Sequence, residues 1–439
     1  MGRETPEIPQ PVRSAIAELW RRSSHTEDSA FNSGAFRLLE VNSEAVYLAI
    51  EDSRLRQKPS TNAQPNELQT ALRNFFRWNG APWYGGPCPD ADETALALHQ
   101  AFMATEVKRT HLAPLDRLDL ENPTQRLHEP VKSVRFGPNE IALLSSAALG
   151  QNVRHDALKR FGRWHQFPTE KLDDFYWLVV SKREEAGPIW ERTWLAILHK
   201  IWDEIGQVPV FEPVYPAPIE DALFVLLLSL VKESKEAPWA PFAVPWVYSF
   251  TDDPFADAPR APDPSALTWA LIGHPDEEFE VPDRSESFEI DHQKLEALER
   301  RWQKLQAALT KTDTKQANFH PLTKHFFVKA LAEEGIDEIV ANISCIEATL
   351  MLKGPKGREK MEKRYKHLLG NGEEFKWLKR GYGLRDEYLH SLGDPKGTIS
   401  WKDLGQTRWS VAKAVDKYLD LTEQRGELNR EALLRSLQN

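Results

Sequence analysis

Apolar residues recur at the three- and four-residue spacing of an amphipathic helix through most of residues 286–425. This pattern predicts a series of helices, because the spacing places the apolar side chains on one face of each helix. The two clearest apolar stripes run from Leu295 to Leu309 and from Ile339 to Leu350. The connections between these segments are short, which favours antiparallel neighbours, so we expect an all-α helical bundle.

Residues 35–237 mix short apolar runs with segments of helical spacing. The apolar runs are typical of strands and lie at 35–41, 45–51, 140–144 and 175–180. The segments of helical spacing predict helices at 66–78, 92–104, 193–206 and 219–234. A mixed α/β domain is therefore expected here, and the fold class expected for the whole chain is α+β.

Residues 238–264 contain seven prolines. Proline cannot continue a helix or an inner strand, so this segment is expected to be extended. Its aromatic side chains indicate a strap packed onto a domain, since a free linker would be polar and rich in glycine and serine. The predicted divisions are a short N-terminal helix with a polar segment at 1–34, an α+β domain at 35–237, a proline-rich strap at 238–285, the helical domain at 286–425 and a C-terminal tail helix at 426–439.

Charge and cysteine content narrow the classes of function. The net charge of −10 argues against a general nucleic-acid binder. Residues 353–380, however, contain ten lysine or arginine residues and four glutamates, a local balance of +6. This basic stretch is either a nucleic-acid track or an ordinary solvated helix face. Two cysteines exclude a disulfide framework and a four-cysteine zinc site, and we expect no metal and no other cofactor.

The chain is expected to be cytoplasmic and to have no membrane partner. Its first residues lack the apolar core and the cleavage site of a signal peptide. The longest apolar run, at 222–231, is about half the length of a membrane span.

A candidate catalytic pair follows the basic stretch directly. Arg385 and His390 are five positions apart in the segment GYGLRDEYLHSLGDP. On a helix, five positions correspond to about 140° of rotation and about 7.5 Å along the axis. Asp386 precedes His390 by four positions, so its carboxylate could orient the imidazole. The spacing alone is not specific, because Arg160 and His165 share it.

Arginine and histidine suit the cleavage of RNA, which carries its own nucleophile in the 2′-hydroxyl group. An imidazole can act as a general base or acid at neutral pH. A guanidinium stays cationic and offers a planar fork to the phosphate oxygens as charge develops on them. This chemistry needs no metal and leaves a 2′,3′-cyclic phosphate and a 5′-hydroxyl end. The residues predicted to bind the RNA are Lys360, Lys363, Arg364, Lys366, Lys379 and Arg380, with Tyr365 or Trp377 as a stacking surface.

Residues 318–425 resemble a HEPN domain, and within that group the ApeA-like branch. The resemblance is carried by HFFVKALAEEGIDEIVANISCIEATL, by the Arg385 and His390 pair, and by ISWKDLGQTRWSVAKAVDKYLDL. Many relatives have a polar residue after the arginine, and Asp386 fits that pattern. Many also have glycine after the histidine, where this chain has Ser391.

The resemblance implies a metal-independent endoribonuclease in which two protomers place their Arg385 and His390 side chains in one cleft. Asp386 joins this pair as a third catalytic residue. Glu347 matches a polar position of some relatives and is expected to support the site. Tyr388 is also expected to support the site, and either it or Tyr382 should lie in the dimer interface.

Anti-phage defence, abortive infection or a toxin-like role follows from the same resemblance. The α+β domain would then be a sensor or regulatory domain that receives an unidentified activator. The alternative is a HEPN module without catalysis, which drives dimerisation and binds a nucleotide, RNA or a protein. Toxicity on expression that a single change at His390 abolishes would separate the two interpretations.

Overall fold

A computed structural model gives the fold of the chain. It describes residues 9–21, 30, 32–53, 65–81, 90–115, 118–121, 133–137, 141–145, 176–187, 189, 192, 214–231, 242–244, 246–256, 286–289, 291–312, 314–352, 354–390 and 399–438. These residues form a five-stranded antiparallel sheet, a separate pair of strands and a largely helical C-terminal part. The predicted α+β class with a helical C-terminal part is therefore confirmed. The predicted helix at 193–206 lies outside the described residues.

The described residues of the N-terminal part include the helices α1 (Gln10–Arg21), α2 (Gly34–Ser53), α3 (Pro65–Asn79) and α4 (Ala91–Met103). The helices predicted at 66–78 and 92–104 are thus confirmed. The strands predicted at 35–41 and 45–51 are wrong, because both runs belong to α2. Phe36, Leu39 and Ser43 are buried at three- and four-residue intervals, whereas Leu38 and Val41 stay exposed. This burial follows the helical period, which the continuous apolar run conceals in the sequence.

The sheet contains the strands β1 (Glu106–Leu115), β3 (Ser133–Phe136), β4 (Ile141–Ser145), β5 (Tyr176–Glu185) and β6 (Tyr248–Thr251), and β2 (Leu118–Glu121) lies apart from it. Their order is β3-β4-β5-β1-β6, and every neighbouring pair is antiparallel. The strands predicted at 140–144 and 175–180 are confirmed. Part of the proline-rich strap is an edge strand, because β6 pairs with β1. A further strand, β7 (Glu286–Glu289), pairs in parallel with β2.

One helix joins the sheet to the helical part of the chain. Helix α5 (Ala217–Val231) is apolar almost all round, and its side chains are buried on every face. Such a helix must be covered on all sides. It accordingly belongs to a single apolar core that includes side chains of β1 and β5 and extends to Leu437. Charged groups reinforce the junction, since Asp221 of α5 pairs with Lys324, and Arg301 bridges Ser229 of α5 to Asp416.

The helical part consists of α6 (His292–Leu309), α7 (Pro321–Ala332), α8 (Gly335–Leu350), α9 (Gly357–Leu369), α10 (Glu373–His390), α11 (Trp401–Gln424) and α12 (Arg430–Ser436). The two predicted apolar stripes lie on α6 and α8. The predicted tail helix is α12, and it is part of the same core because Leu433 and Leu434 are fully buried. Among the described residues, no helix combines the length and apolarity needed to cross a membrane.

Two glycines of α10 differ in their surroundings and allow a matched test of the packing. A methyl group added at Gly381 would lie 3.0 Å from Cγ2 of Thr407 and 3.2 Å from Cδ1 of Ile343, whereas one at Gly383 would meet nothing within 4 Å. We expect Gly383→Ala to raise the free energy of unfolding by about 0.5–1 kcal/mol, because alanine restricts the unfolded chain. Gly381→Ala should lower it by about 1–2 kcal/mol through overpacking. Urea denaturation of both variants measures the difference, and equal stabilisation would contradict the close contact of α8, α10 and α11.

Candidate active site

The C-terminal half of α10 carries both members of the predicted catalytic pair. Phe375, Leu378 and Tyr382 face the core and fix the rotation of the helix. The side chain of Arg385 is 23% exposed, and it turns toward α8. His390 is the last residue of α10 and is exposed to solvent. The two side chains therefore leave the helix in different directions, as their spacing predicts.

Glu347 of α8 holds Arg385 in place. Nη1 of Arg385 donates a hydrogen bond of 2.8 Å to Oε1 of Glu347. The hydroxyl group of Tyr382 donates to the same carboxylate oxygen over 3.3 Å. Nε of Arg385 is enclosed and has no hydrogen-bond partner within the described part of the chain. The structure thus brings Glu347, which was expected to support the site, into direct contact with the predicted catalytic arginine.

The phenol of Tyr382 is a neutral donor in this cluster. Burial, and to a smaller extent the nearby Glu347 carboxylate, raises the pKa of Tyr382 well above its usual value. A neutral hydroxyl group can donate to Glu347 without adding charge to the cluster. Tyr382 is only 1% exposed, so of the two tyrosines predicted for a dimer interface it is not the one that a partner could contact. Tyr388 is half-buried and remains the tyrosine of α10 that a partner could contact.

A second arginine, Arg358, reaches the cluster from the first turn of α9. Its Nη1 donates a hydrogen bond of 2.5 Å to Oδ2 of Asp386. Its guanidinium carbon lies 4.4 Å from the centre of the Tyr382 ring. Arg358 also forms an ion pair of 3.4 Å with Glu362 along its own helix. Tyr382 therefore contacts Arg358 through its ring and shares the Glu347 carboxylate with Arg385 through its hydroxyl group.

The expected contact between Asp386 and His390 is not formed among the described residues. Asp386 faces Arg358 on α9, while His390 lies one turn further along α10. The guanidinium of Arg358 provides a charge-assisted hydrogen bond to this carboxylate. The prediction that Asp386 orients His390 is therefore corrected. Its carboxylate positions Arg358 instead.

Arg364 is buried in the bundle and is not available to RNA. It is 2% exposed, and it donates hydrogen bonds to the carbonyl oxygens of Leu350 at 2.6 Å and Leu434 at 2.9 Å. These bonds satisfy carbonyl groups at the end of α8 and within α12 that lack other partners in their own helices. Including Arg364 in the RNA-binding set was therefore wrong. Tyr365 is fully buried as well, so it cannot stack on a base.

The other basic residues predicted to bind RNA differ in their contacts: some are exposed, and others contact an aromatic or acidic side chain. Lys360 and Lys363 are exposed on α9. Lys366 and Lys379 lie over the ring of Phe375, at 4.4 Å and 5.6 Å from its centre. The predicted RNA-binding residue Arg380 is 50% exposed and forms an ion pair of 3.0 Å with Asp403. Trp377, the other predicted stacking residue, is half-buried and has Lys402 5.7 Å from its ring centre.

Helices α9 and α10 run in opposite directions. Arg358 at the start of α9 contacts Asp386 near the end of α10, and Lys366 near the end of α9 contacts Phe375 near the start of α10. The lysines of α9 therefore lead away from the end of α10 that carries His390. With a rise of about 1.5 Å per residue, Lys360 and Lys363 lie about 3 Å and about 7.5 Å along the axis from Arg358. They form a short basic stripe, which we call the α9 stripe.

Arg358 was missed by the sequence analysis. Its contacts with Tyr382 and Asp386 join residues more than twenty positions apart. In the sequence it is one of ten basic residues between 353 and 380, and no local pattern distinguishes it from the others. Only the pairing of α9 with α10 selects it.

Among the described residues, no group of three or more histidine, cysteine, aspartate or glutamate side chains is placed to hold a metal ion. Comparisons with protein-family models, with curated proteins and with solved structures give no match for this chain.

Proposed function

We propose that the chain is a metal-independent endoribonuclease of the HEPN type. The observation that carries this proposal is the arrangement of Arg385 and His390. Arg385 is half-buried and held at a fixed direction by Glu347, and the exposed His390 lies at the end of the same helix. Phosphoryl transfer from a 2′-hydroxyl requires a rigid cation and an accessible imidazole at one phosphate, which two protomers together would supply. The resemblance of residues 318–425 to HEPN domains supports the same assignment.

His390 would move the proton, and Arg385 would stabilise the charge. The imidazole accepts the proton of the 2′-hydroxyl as the 2′-oxygen attacks the adjacent phosphorus. The bond from phosphorus to the 5′-oxygen then breaks, and that oxygen takes the proton from the imidazolium. Arg385 donates to the non-bridging oxygens while their charge is greatest. The products are a 2′,3′-cyclic phosphate and a 5′-hydroxyl end.

RNA would approach along the basic side of α9. Lys360 and Lys363 are exposed, and no carboxylate partner is found for them among the described residues. They supply sequence-independent attraction to the phosphate backbone. The proposed partner is therefore RNA, with Lys366, Lys379 and Arg380 at the margin of the track.

The proposed enzyme acts as a homodimer. Arg385 turns inward toward Glu347, and His390 faces solvent about 140° away on the helix. One protomer therefore brackets a single phosphate poorly. A two-fold contact between two α10 helices would let each protomer supply the side that the other lacks. Leu389, which is next to His390 and 51% exposed, provides apolar surface at this end of α10.

The proposed setting is the cytoplasm, where the enzyme would serve in anti-phage defence, abortive infection or a toxin-like role. An unidentified activator would act at the N-terminal α+β domain. Helix α5 offers a physical link for such control, because it packs into the sheet and into the helical bundle at once.

A second candidate function is a HEPN module without catalysis. The observation that favours it is that both arginines of the site already have carboxylate partners, Glu347 for Arg385 and Asp386 for Arg358. In that case the cluster would only hold α8, α9 and α10 together. Purified protein would then bind RNA, a nucleotide or a protein and would not cut RNA.

Cleavage by the purified chain is expected to continue at an undiminished rate in excess EDTA. Neither the imidazole nor the guanidinium needs a metal to act. Mixed-base RNA is incubated with the chain in EDTA and in Mg²⁺, and the product ends are identified as cyclic phosphate and 5′-hydroxyl. Loss of activity in EDTA with recovery in Mg²⁺ would reject this mechanism, and absence of cleavage in both would favour the module without catalysis.

A further inference from the structure

Arg358 contacts two residues of the site, Tyr382 and Asp386, yet the proposed reaction gives it no role. It is 45% exposed, so part of its guanidinium faces solvent. Its Nη1 donates to the Asp386 carboxylate, its Nε pairs with Glu362 at 3.4 Å, and its guanidinium carbon lies 4.4 Å from the centre of the Tyr382 ring. No hydrogen-bond partner is found for its Nη2 among the described residues, so this nitrogen can donate to a phosphate group.

Arg358 lies between the Arg385 and His390 pair and the α9 stripe. Asp386, its partner, is adjacent in sequence to Arg385 and lies one helical turn before His390. On the other side, Arg358 is in the turn of α9 from which the α9 stripe begins. Arg358 lies on the flank of α9 that faces α10, whereas Lys360 and Lys363 lie about 200° and about 140° round α9 from it. An RNA strand that leaves the Arg385 and His390 pair toward α9 would therefore meet Arg358 before the α9 stripe.

We propose that Arg358 binds the phosphate next to the one that is cleaved. This inference rests on the proposed ribonuclease function and adds a subsite to it. The Asp386 carboxylate holds the guanidinium in place when RNA is absent, and the phosphate takes the free N–H groups on the solvent side. Arg358 then sets the register of the strand, so that the scissile phosphate lies between Arg385 and His390.

Substrate length provides a test that separates this role from a structural one. A mixed-base dinucleotide contains only the reacting phosphate. Two trinucleotides, each with a single ribose at the cleavage position and deoxyribose elsewhere, add one phosphate on the 5′ side or on the 3′ side. The wild-type chain should have a lower KM for one of the trinucleotides than for the dinucleotide, because a charge-assisted contact is gained.

For the wild-type chain, the preference is the ratio of kcat/KM for the favoured trinucleotide to kcat/KM for the dinucleotide. In Arg358→Met this ratio should fall by about tenfold, the size of one lost charge-assisted contact. Arg358→Lys keeps the charge without the fork and should retain part of the preference. Arg435→Met is the matched control, since Arg435 is exposed and ion-paired with Glu431 on α12, a helix that carries none of the proposed site residues. It should leave the values for all three substrates unchanged. A merely structural role of Arg358 would lower kcat/KM equally for the dinucleotide and both trinucleotides, and that result would overturn the proposal.

Binding measurements test the phosphate subsite at Arg358 independently of RNA cleavage. All-deoxy versions of the dinucleotide and trinucleotides cannot be cleaved through a 2′-hydroxyl, so titration with them reports affinity alone. A trinucleotide advantage that disappears in Arg358→Met supports the subsite even if the wild-type chain cuts no RNA. Wild-type cleavage without any trinucleotide advantage, in KM or in binding, would overturn the subsite and leave the ribonuclease function standing.

Discussion

Replacing His390 with alanine is expected to lower the rate of RNA cleavage by about 10²–10⁴-fold, the usual effect of removing a general acid or base. The imidazole is exposed at the end of α10 and takes no part in the core. The free energy of unfolding should therefore stay within about 0.5 kcal/mol of the wild-type value. The loss should appear in kcat, because the proton transfer occurs only in the chemical step. Single-turnover cleavage of mixed-base RNA measures it.

His367→Ala is the matched control for this experiment. His367 is also an exposed histidine in the last turn of its helix, and it lies on the neighbouring α9. Its removal changes the same side-chain type without touching the proposed catalytic pair. Cleavage by His367→Ala should equal the wild-type rate. If His390→Ala cuts RNA as fast as the wild-type chain, the general base or acid lies elsewhere and the proposed site is wrong.

The helical part of the fold was predictable from sequence because its signal is local. The apolar stripe from Ile339 to Leu350 predicts α8, and the structure places that helix at Gly335–Leu350. Helix α2 was not predictable by the same reasoning, since its apolar residues form short continuous runs. Such runs fit a strand or a buried helix equally well, and only packing against α1 decides between them.

The candidate site was predictable only in part, because its contacts are long-range. The spacing of Arg385 and His390 can be read from one helix. The contact of Arg385 with Glu347 requires α8 and α10 to pack together, and the one between Arg358 and Asp386 requires α9 and α10 to do so. The burial of Arg364 depends on α12, whose carbonyl group it satisfies. A count of charges along α9 therefore could not separate a structural arginine from an exposed one.

Mixing Arg385→Ala chains with His390→Ala chains is expected to restore activity that neither variant has alone. Arg385 is directed toward Glu347 and His390 toward solvent, so the proposed site draws the arginine from one protomer and the histidine from its partner. A heterodimer of the two variants keeps one intact composite site and loses the other. Random exchange of equal amounts makes about half of the dimers heterodimers, so about a quarter of the wild-type activity should return.

The control replaces the second partner with a chain that carries both substitutions. Arg385→Ala mixed with the double variant cannot form an intact composite site, so it should stay inactive at the same extent of exchange. Two affinity tags, purified in sequence, show how much heterodimer is present in each mixture. Recovery near a quarter in the first mixture alone identifies a shared cleft.

If tagged heterodimers form and no activity returns, each protomer uses its own arginine and histidine, because every chain in that mixture lacks one of them. Full activity of a wild-type chain that sediments as a monomer would reject the shared cleft in the same way, and the chemistry assigned to His390 would then have to operate within one protomer.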